Sequence, residues 1–210
     1  MGRIHDISQT LRPALPVWPG EPPFALERLA QIGPDCPVNV SAMSAPLHAG
    51  SHADSPFHYA NDGTASGECD LDPYIGRCVV IDVTHAAGSV TPADFAPDAI
   101  AGAERVILRT YASFPADAWD SAFTAIAPET IALLARAGVR LIGTDAPSLD
   151  PQESKTLDAH HQVLAADMRI LEGLVLEGVA PGIYELIALP LKIAGADASP
   201  VRAILREFDR

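Results

Sequence analysis

The chain has 210 residues, 48% hydrophobic and 20% charged, which is enough for one domain with a sizeable buried core. Fourteen Lys and Arg stand against 27 Asp and Glu, a net charge of −13. This excludes binding along a nucleic-acid backbone and argues against an anionic membrane surface.

No apolar run reaches the roughly 18 residues of a membrane span. Met1-Gly2-Arg3-Ile4-His5-Asp6 opens without the apolar stretch of a signal peptide. Cys36, Cys69 and Cys78 are odd in number and lack CxxC spacing, so buried free thiols are expected rather than a disulfide framework. These readings place the protein in the cytoplasm.

Along the chain, Arg12 to Pro23 holds Pro13, Pro16, Pro19, Gly20, Pro22 and Pro23 and reads as an irregular arm carrying Trp18. Phe24 to Ile32 alternates loosely, as a strand or a short helix would. Val38 to Met43 alternates apolar and polar residues, which predicts a strand leading toward a His-rich run. Cys78 to Val83 and Arg105 to Arg109 read as buried strands. Thr91-Pro92-Ala93-Asp94 has the pattern of a helix start. Pro128 to Gly138 predicts a helix ending at its glycine, and Val139 to Asp145 a returning strand. Tyr184 to Ala188 and Val201 to Leu205 are expected late strands. The fold class implied is a single α/β domain over 1–210, with a mixed sheet closing into a barrel-like core.

The run His48-Ala49-Gly50-Ser51-His52-Ala53-Asp54-Ser55-Pro56-Phe57-His58 concentrates three of the seven histidines and an aspartate. Imidazole nitrogen and carboxylate oxygen are the ligands of zinc and its first-row neighbours. Gly50 and Pro56 oppose a helix, and the HExxH pattern is absent, so a loop or distorted turn is expected. On it His48, His52 and Asp54 converge on a cation, with His52 and Asp54 on one side of an extended segment. His58 is either a further ligand or a general acid/base, since imidazole titrates near neutral pH. Downstream candidates are Asp145, Asp158, His160, His161, Asp167 and Glu172. His160 and His161 diverge by about 100° on a helix, so at most one faces a given site. Glu172 lies in an apolar stretch, where an acid is costly unless paired or ligated. Trp18 either stacks on an aromatic substrate or pins the arm to the core.

The run resembles the HxGTHxDxPxH signature of the metal-dependent cyclase-like hydrolases, with Ser51 where Thr is usual. Gly143-Thr144-Asp145-Ala146-Pro147-Ser148, Ser154-Lys155, Ala159-His160 and Ile170-Leu171-Glu172-Gly173-Leu174 extend the similarity to the bacterial kynurenine formamidases. So do Gly182 to Leu191 and Gly195-Ala196-Asp197-Ala198-Ser199-Pro200-Val201-Arg202. The resemblance implies a swivelling β/β/α fold, a homodimer and two metal ions per chain, usually zinc, with manganese or cobalt as other possibilities. It implies one metal on His48, His52 and Asp54, and a second on Asp54, His160 and Glu172. His58 would then be the acid/base and Trp18 a substrate-binding residue. The implied reaction is hydrolysis of N-formyl-L-kynurenine, an aryl formamide, to kynurenine and formate in tryptophan degradation. Two rivals stand beside it: a cyclic amide hydrolase of isatin type with the same ligands, and a non-catalytic metal-binding protein. A thiol enzyme is disfavoured, because no cysteine neighbours a histidine in sequence.

Overall fold

Short runs of aliphatic residues, apolar on both faces, build the centre of the molecule. The computed structural model describes residues 2–209. Strands β1 (Ile4–Asp6), β2 (Ala25–Ala30), β3 (Val40–Ser44), β4 (His52–Asp54), β5 (Ile75–Asp82), β6 (Ser89–Val90), β7 (Arg105–Arg109) and β8 (Ala125–Ile126) precede helix α1 (Pro128–Arg136). Strand β9 (Leu141–Thr144), helix α2 (Asp158–Ala165) and strands β10 (Arg169–Glu172), β11 (Gly182–Ile187), β12 (Ala198–Pro200) and β13 (Ile204–Arg206) follow.

Nine strands form one mixed sheet in the order β1-β13-β11-β5-β7-β9-β10-β4-β12. Neighbours from β5 to β10 run parallel, and the flanking pairs are antiparallel. The sheet curls into a half barrel. Successive residues of the parallel strands enter opposite cores, as strand periodicity requires. Val106, Leu108, Ile142 and Ile170 pack toward Ile131 and Leu134 of α1 and Val163 of α2. Ile107, Leu141 and Leu171 pack inside the curl with Ile7, Leu186 and Leu205.

The expected strands over 78–83, 105–109, 139–145 and 184–188 fall on β5, β7, β9 and β11. The ambiguous segment after the arm is a strand: β2 pairs with β3 in an antiparallel hairpin. Helix α1 is followed by Gly138 in the left-handed region at φ 89°, as its C-terminal signal indicated. The expected helix at Thr91 is a single 3-10 turn over Pro92–Asp94, though its capping box is present. Ala96-Pro97 follows at once, and a residue before proline is pushed out of the helical region. The expected strand from Val201 to Leu205 is split: the chain leaves β12 at Pro200 and resumes pairing at Ile204. In the gap the Val201 amide donates to the Ser51 carbonyl, and the Ala203 carbonyl accepts from Ile7. All three cysteines are free, but only Cys78 is buried; Cys36 and Cys69 are half-buried.

Strand β4 is the short element that places the site. It sits between β10 and β12, with His52 opposite Glu172 and Asp54 opposite both Ile170 and Ala198. Ser51 anchors its entrance: its hydroxyl donates to the Gly173 carbonyl at 2.7 Å and accepts the Gln9 amide at 2.9 Å. Gly173 must be glycine here. Its φ is +62°, and a Cβ would lie 2.6 Å from the Gly50 carbonyl oxygen.

Gly173→Ala is expected to lose roughly 1–3 kcal/mol through backbone strain, before counting the displaced Gly50 loop. Denaturant melts of the variant would check this, and an unchanged midpoint would contradict it.

Candidate active site

The register just described puts His52, Asp54 and Glu172 on the helix-covered face of the sheet, since residues two apart share a face and directly opposed residues are neighbours. From above, α2 brings His160 down onto that face, while His161, Asp158 and Asp167 are exposed. From the turn before β4 comes His48, and from the 3-10 turn Pro56–His58 comes His58. Five of the sequence candidates thus converge with Asp54.

Each of three imidazoles has one nitrogen fixed by an outer partner and the other aimed at Asp54, and two of them also face Glu172. His52 donates from Nδ1 to the Gly50 carbonyl at 3.0 Å, and its Nε2 lies 3.3 Å from both Asp54 Oδ1 and Glu172 Oε2. His160 donates from Nδ1 to Asp150 Oδ2 at 2.6 Å, and its Nε2 lies 3.3 Å from Asp54 Oδ2 and 3.5 Å from Glu172 Oε1. His48 donates from Nε2 to Asp197 Oδ2 at 2.9 Å, and its Nδ1 lies 3.0 Å from Asp54 Oδ1. Outer partners of this kind set the tautomer and direction of metal-binding histidines. His52 Nε2 and Asp54 Oδ1 are buried and make no hydrogen bond. Two orphaned atoms so close are expensive unless a cation joins them. The donor set fits a first-row divalent ion, and three overlapping groups could hold one: His48, His52 and Asp54; His48, His58 and Asp197; and Asp54, His58 and His160.

Charge balance shows the same demand. Burial pulls His52 and His160 down, but the adjacent carboxylates outweigh it: Asp54 and Glu172 for His52, Asp150 and Asp54 for His160. Both imidazoles rise from 6.5 to about 10. Burial pushes Asp54 up, yet His160, His48 and His52 hold it well below the usual carboxylate range. His58 behaves differently. Burial lowers it below 6.5, its side chain remains 33% exposed, and its Nδ1 lies 3.7 Å from Asp197 Oδ2, beyond hydrogen-bond reach.

A cavity of about 240 Å³ opens beside these groups, lined by His48, His52, His58, His160 and Glu172 and by Val17, Trp18 and Glu21 of the arm. Trp18 lines the cavity and packs edge-on against Trp119, with ring centroids 5.3 Å apart. Asp145 takes no part among the histidines. Its carboxylate accepts the Thr110 amide and hydroxyl and the Tyr111 amide, which ties two loops together at the strand ends.

Three contributors escaped the sequence reading. Asp150 accepts the amides of Ala159 and His160, so it caps α2 as well as orienting His160. Asp197 precedes β12 and reaches His48 from 149 residues away. Trp119 lies in a loop with no periodic pattern, its indole donating to Gln152. Sequence spacing carries no signal for any of them.

A half-barrel sheet with buried histidines and carboxylates converging at its rim defines a cyclase-like hydrolase, and the chain belongs to the Cyclase family, whose model, described as "Putative cyclase", matches residues 5–151. Among its relatives are enzymes named kynurenine formamidase. That of Sphingopyxis alaskensis is 64% identical over 99% of this chain and 100% of its own length, and that of Maricaulis maris is 57% identical over the same shares. A solved structure described as "The Structure Of Potential Metal-Dependent Hydrolase With Cyclase Activity" superposes with a TM-score of 0.87 at 26% identity, covering 100% of both chains. An isatin hydrolase bound to the product analogue thioisatinate superposes with a TM-score of 0.82 over 98% of this chain and 92% of its own. At 21% identity that last likeness is one of fold.

Without a cation, protonated His52 and His160 neutralise the carboxylates. Their raised values add stability that is complete below 6.5 and lost as pH climbs toward about 10. Asp54, held low, adds stability present above 3.8 and lost in acid. Chelator-treated protein is therefore expected to melt highest between about pH 4 and 6.5, and zinc to raise the Tm by an increment that grows with pH as it displaces those protons. Melts at pH 5, 7 and 9 with and without zinc would show it, and a zinc increment that shrinks as pH rises would count against it. Asp150→Asn is expected to weaken zinc binding by about 10- to 100-fold, measured by competition with a chromophoric chelator.

Proposed function

We infer that the chain is a metal-dependent hydrolase of aryl formamides whose substrate is N-formyl-L-kynurenine. The observation that carries this is the set of three imidazoles, each fixed from behind and turned toward Asp54, with Glu172 facing two of them, at the base of an aromatic-walled cavity. Relatives named kynurenine formamidase at 57–64% identity supply the substrate class.

In this reading His48, His52 and Asp54 hold one ion, and His160 and Glu172 share Asp54 to hold a second. Zinc suits the donor set, and manganese or cobalt are accepted by the same ligands. A bound divalent ion supplies charge that acidifies water and polarises a carbonyl.

The protein's own groups do the rest. Burial keeps His58 neutral at pH 7, so it is free to take a proton. As water adds to the formyl carbon, His58 accepts its proton. As the C–N bond breaks, His58 returns that proton to the aniline nitrogen, and kynurenine and formate leave. Asp197 holds His48, and its carboxylate lies 3.7 Å from His58 Nδ1. Trp18 provides a wall for the substrate ring. The product places the enzyme in tryptophan degradation through kynurenine.

The isatin-type reading draws only on fold-level likeness. A metal carrier would have no use for a half-open neutral imidazole facing the cavity. One sheet that joins β1 to β13 supports a single domain over 1–210. The β2–β3 hairpin leaves Leu26, Leu29, Val40 and Met43 exposed, which supports a homodimer that covers them. Three free thiols favour a reducing cytoplasm. No helix among the described residues is long and apolar enough to cross a membrane.

Absorbance assays on N-formyl-L-kynurenine test the assignment. Turnover is expected to vanish on chelation and return with zinc. His58→Ala is expected to lose about 10²–10⁴-fold in kcat while retaining two metals per chain by elemental analysis. A zinc-replete protein with no turnover would end the formamidase reading.

A further inference from the structure

Glu21 closes the turn of the proline-rich arm, its amide donating to the Trp18 carbonyl at 3.0 Å. Its side chain lines the same cavity as His48, His58, His160 and Glu172. One carboxylate oxygen, Oε2, is shut off from water and receives no hydrogen bond among the described residues. Such an atom has given up hydration without gaining a partner, and that costs more for a charged group than for a neutral one. No Lys or Arg lines the cavity to neutralise it. The metal-site histidines are already engaged by Asp54, Asp150, Asp197 and Glu172. A group that enters the cavity with N–H donors and positive charge would complement this carboxylate.

The substrate inferred above has such a group. At the end of its side chain remote from the formyl nitrogen it carries a primary ammonium, with three donors, and a carboxylate. We propose that Glu21 receives this ammonium and makes the enzyme selective for aryl formamides that carry a cationic amine. The proposal rests on the formamidase reading and deepens it. The metal-site groups hold the formyl end, Trp18 and Trp119 flank the ring, and Glu21 fixes the far end. With no cation in the lining, the cavity has no counterpart for the substrate's carboxylate, so that group is not selected. Positioning at a distance from the reacting bond limits the orientations the formyl group can adopt.

Three substrates separate the groups: N-formyl-L-kynurenine, its decarboxylated amine, and its des-amino acid. The measurement is kcat and KM for zinc-replete wild type and for Glu21→Gln. The wild type is expected to cleave the two amines with similar efficiency, within about threefold, and the des-amino acid at least roughly tenfold less well. Glu21→Gln is expected to lose at least roughly tenfold in kcat/KM on both amines, mainly through KM, and several-fold less on the des-amino acid. Equal losses on all three substrates, or no loss on any, would overturn the proposal. So would a wild type indifferent to the amine, a comparison that decides the matter even where the variant fails to fold. A zinc-replete wild type that cleaves none of the three refutes the formamidase reading itself, a distinct outcome.

Discussion

Two buried imidazoles and two buried carboxylates around a common centre, with half-buried His48 beside them, are the constraint on which the rest of the structure depends. Asp54 and Glu172 are almost wholly excluded from water, and so are His52 and His160. Carboxylates in such a place stay ionised only if positive charge is close by. Protons on the histidines supply it in part, but they leave His52 Nε2 and Asp54 Oδ1 without a hydrogen bond despite lying 3.3 Å apart. A divalent ion removes that misfit, because a cation accepts several lone pairs at once and needs no alignment of a single hydrogen. The site is thus a poor set of salt bridges and a good set of ligands.

Holding the groups in that state falls to the sheet. Strand β4 is only three residues long, too short to fix itself. Pairing with β10 and β12 on both sides sets its register, and a one-residue slip would turn His52 and Asp54 into the inner core. The Ser51 hydroxyl, bridging Gln9 and Gly173, resists that slip at the strand's entrance. The chemistry of one residue and the backbone geometry of its neighbours are a single problem here. This is why Gly50 and Gly173, both in the left-handed region, stand beside ligating candidates.

Much of this was legible in the sequence where the signal was local. Aliphatic runs gave the central strands, and Pro128 and Gly138 bracketed α1. The His-rich run gave four of the six site candidates within eleven residues. Glu172 was visible as an acid in an apolar strand. His160 could be separated from His161 only by family resemblance, and the structure supplies the reason: Asp150 caps α2 and grips the His160 ring together. Asp150 and Asp197 were illegible because their roles depend on contacts 10 and 149 residues apart. The helix expected at Thr91 failed for the opposite reason. Its start was read correctly, but the proline six residues on decided its length.

Division of labour between sheet and arm accounts for how one fold hosts several hydrolases. Every candidate metal ligand lies on or beside a sheet strand or on α2, held by backbone pairing and by second partners behind each ring. Trp18 and Glu21 lie instead on an irregular, proline-rich segment that touches the core through side chains such as the Trp18–Trp119 pair. Trp18 and Glu21 lie outside the strand pairings that set β4, although Leu15 of the same arm packs near Gly50. Substrate choice can therefore shift through the arm at little cost to metal binding, whereas a change in β4 or β10 disturbs both. A neighbour that shares only the fold carries information about the metal-holding half of the site and little about the arm. For this chain the arm's own chemistry, an aromatic wall beside a carboxylate with one oxygen unpaired among the described residues, is the better guide to what enters the cavity.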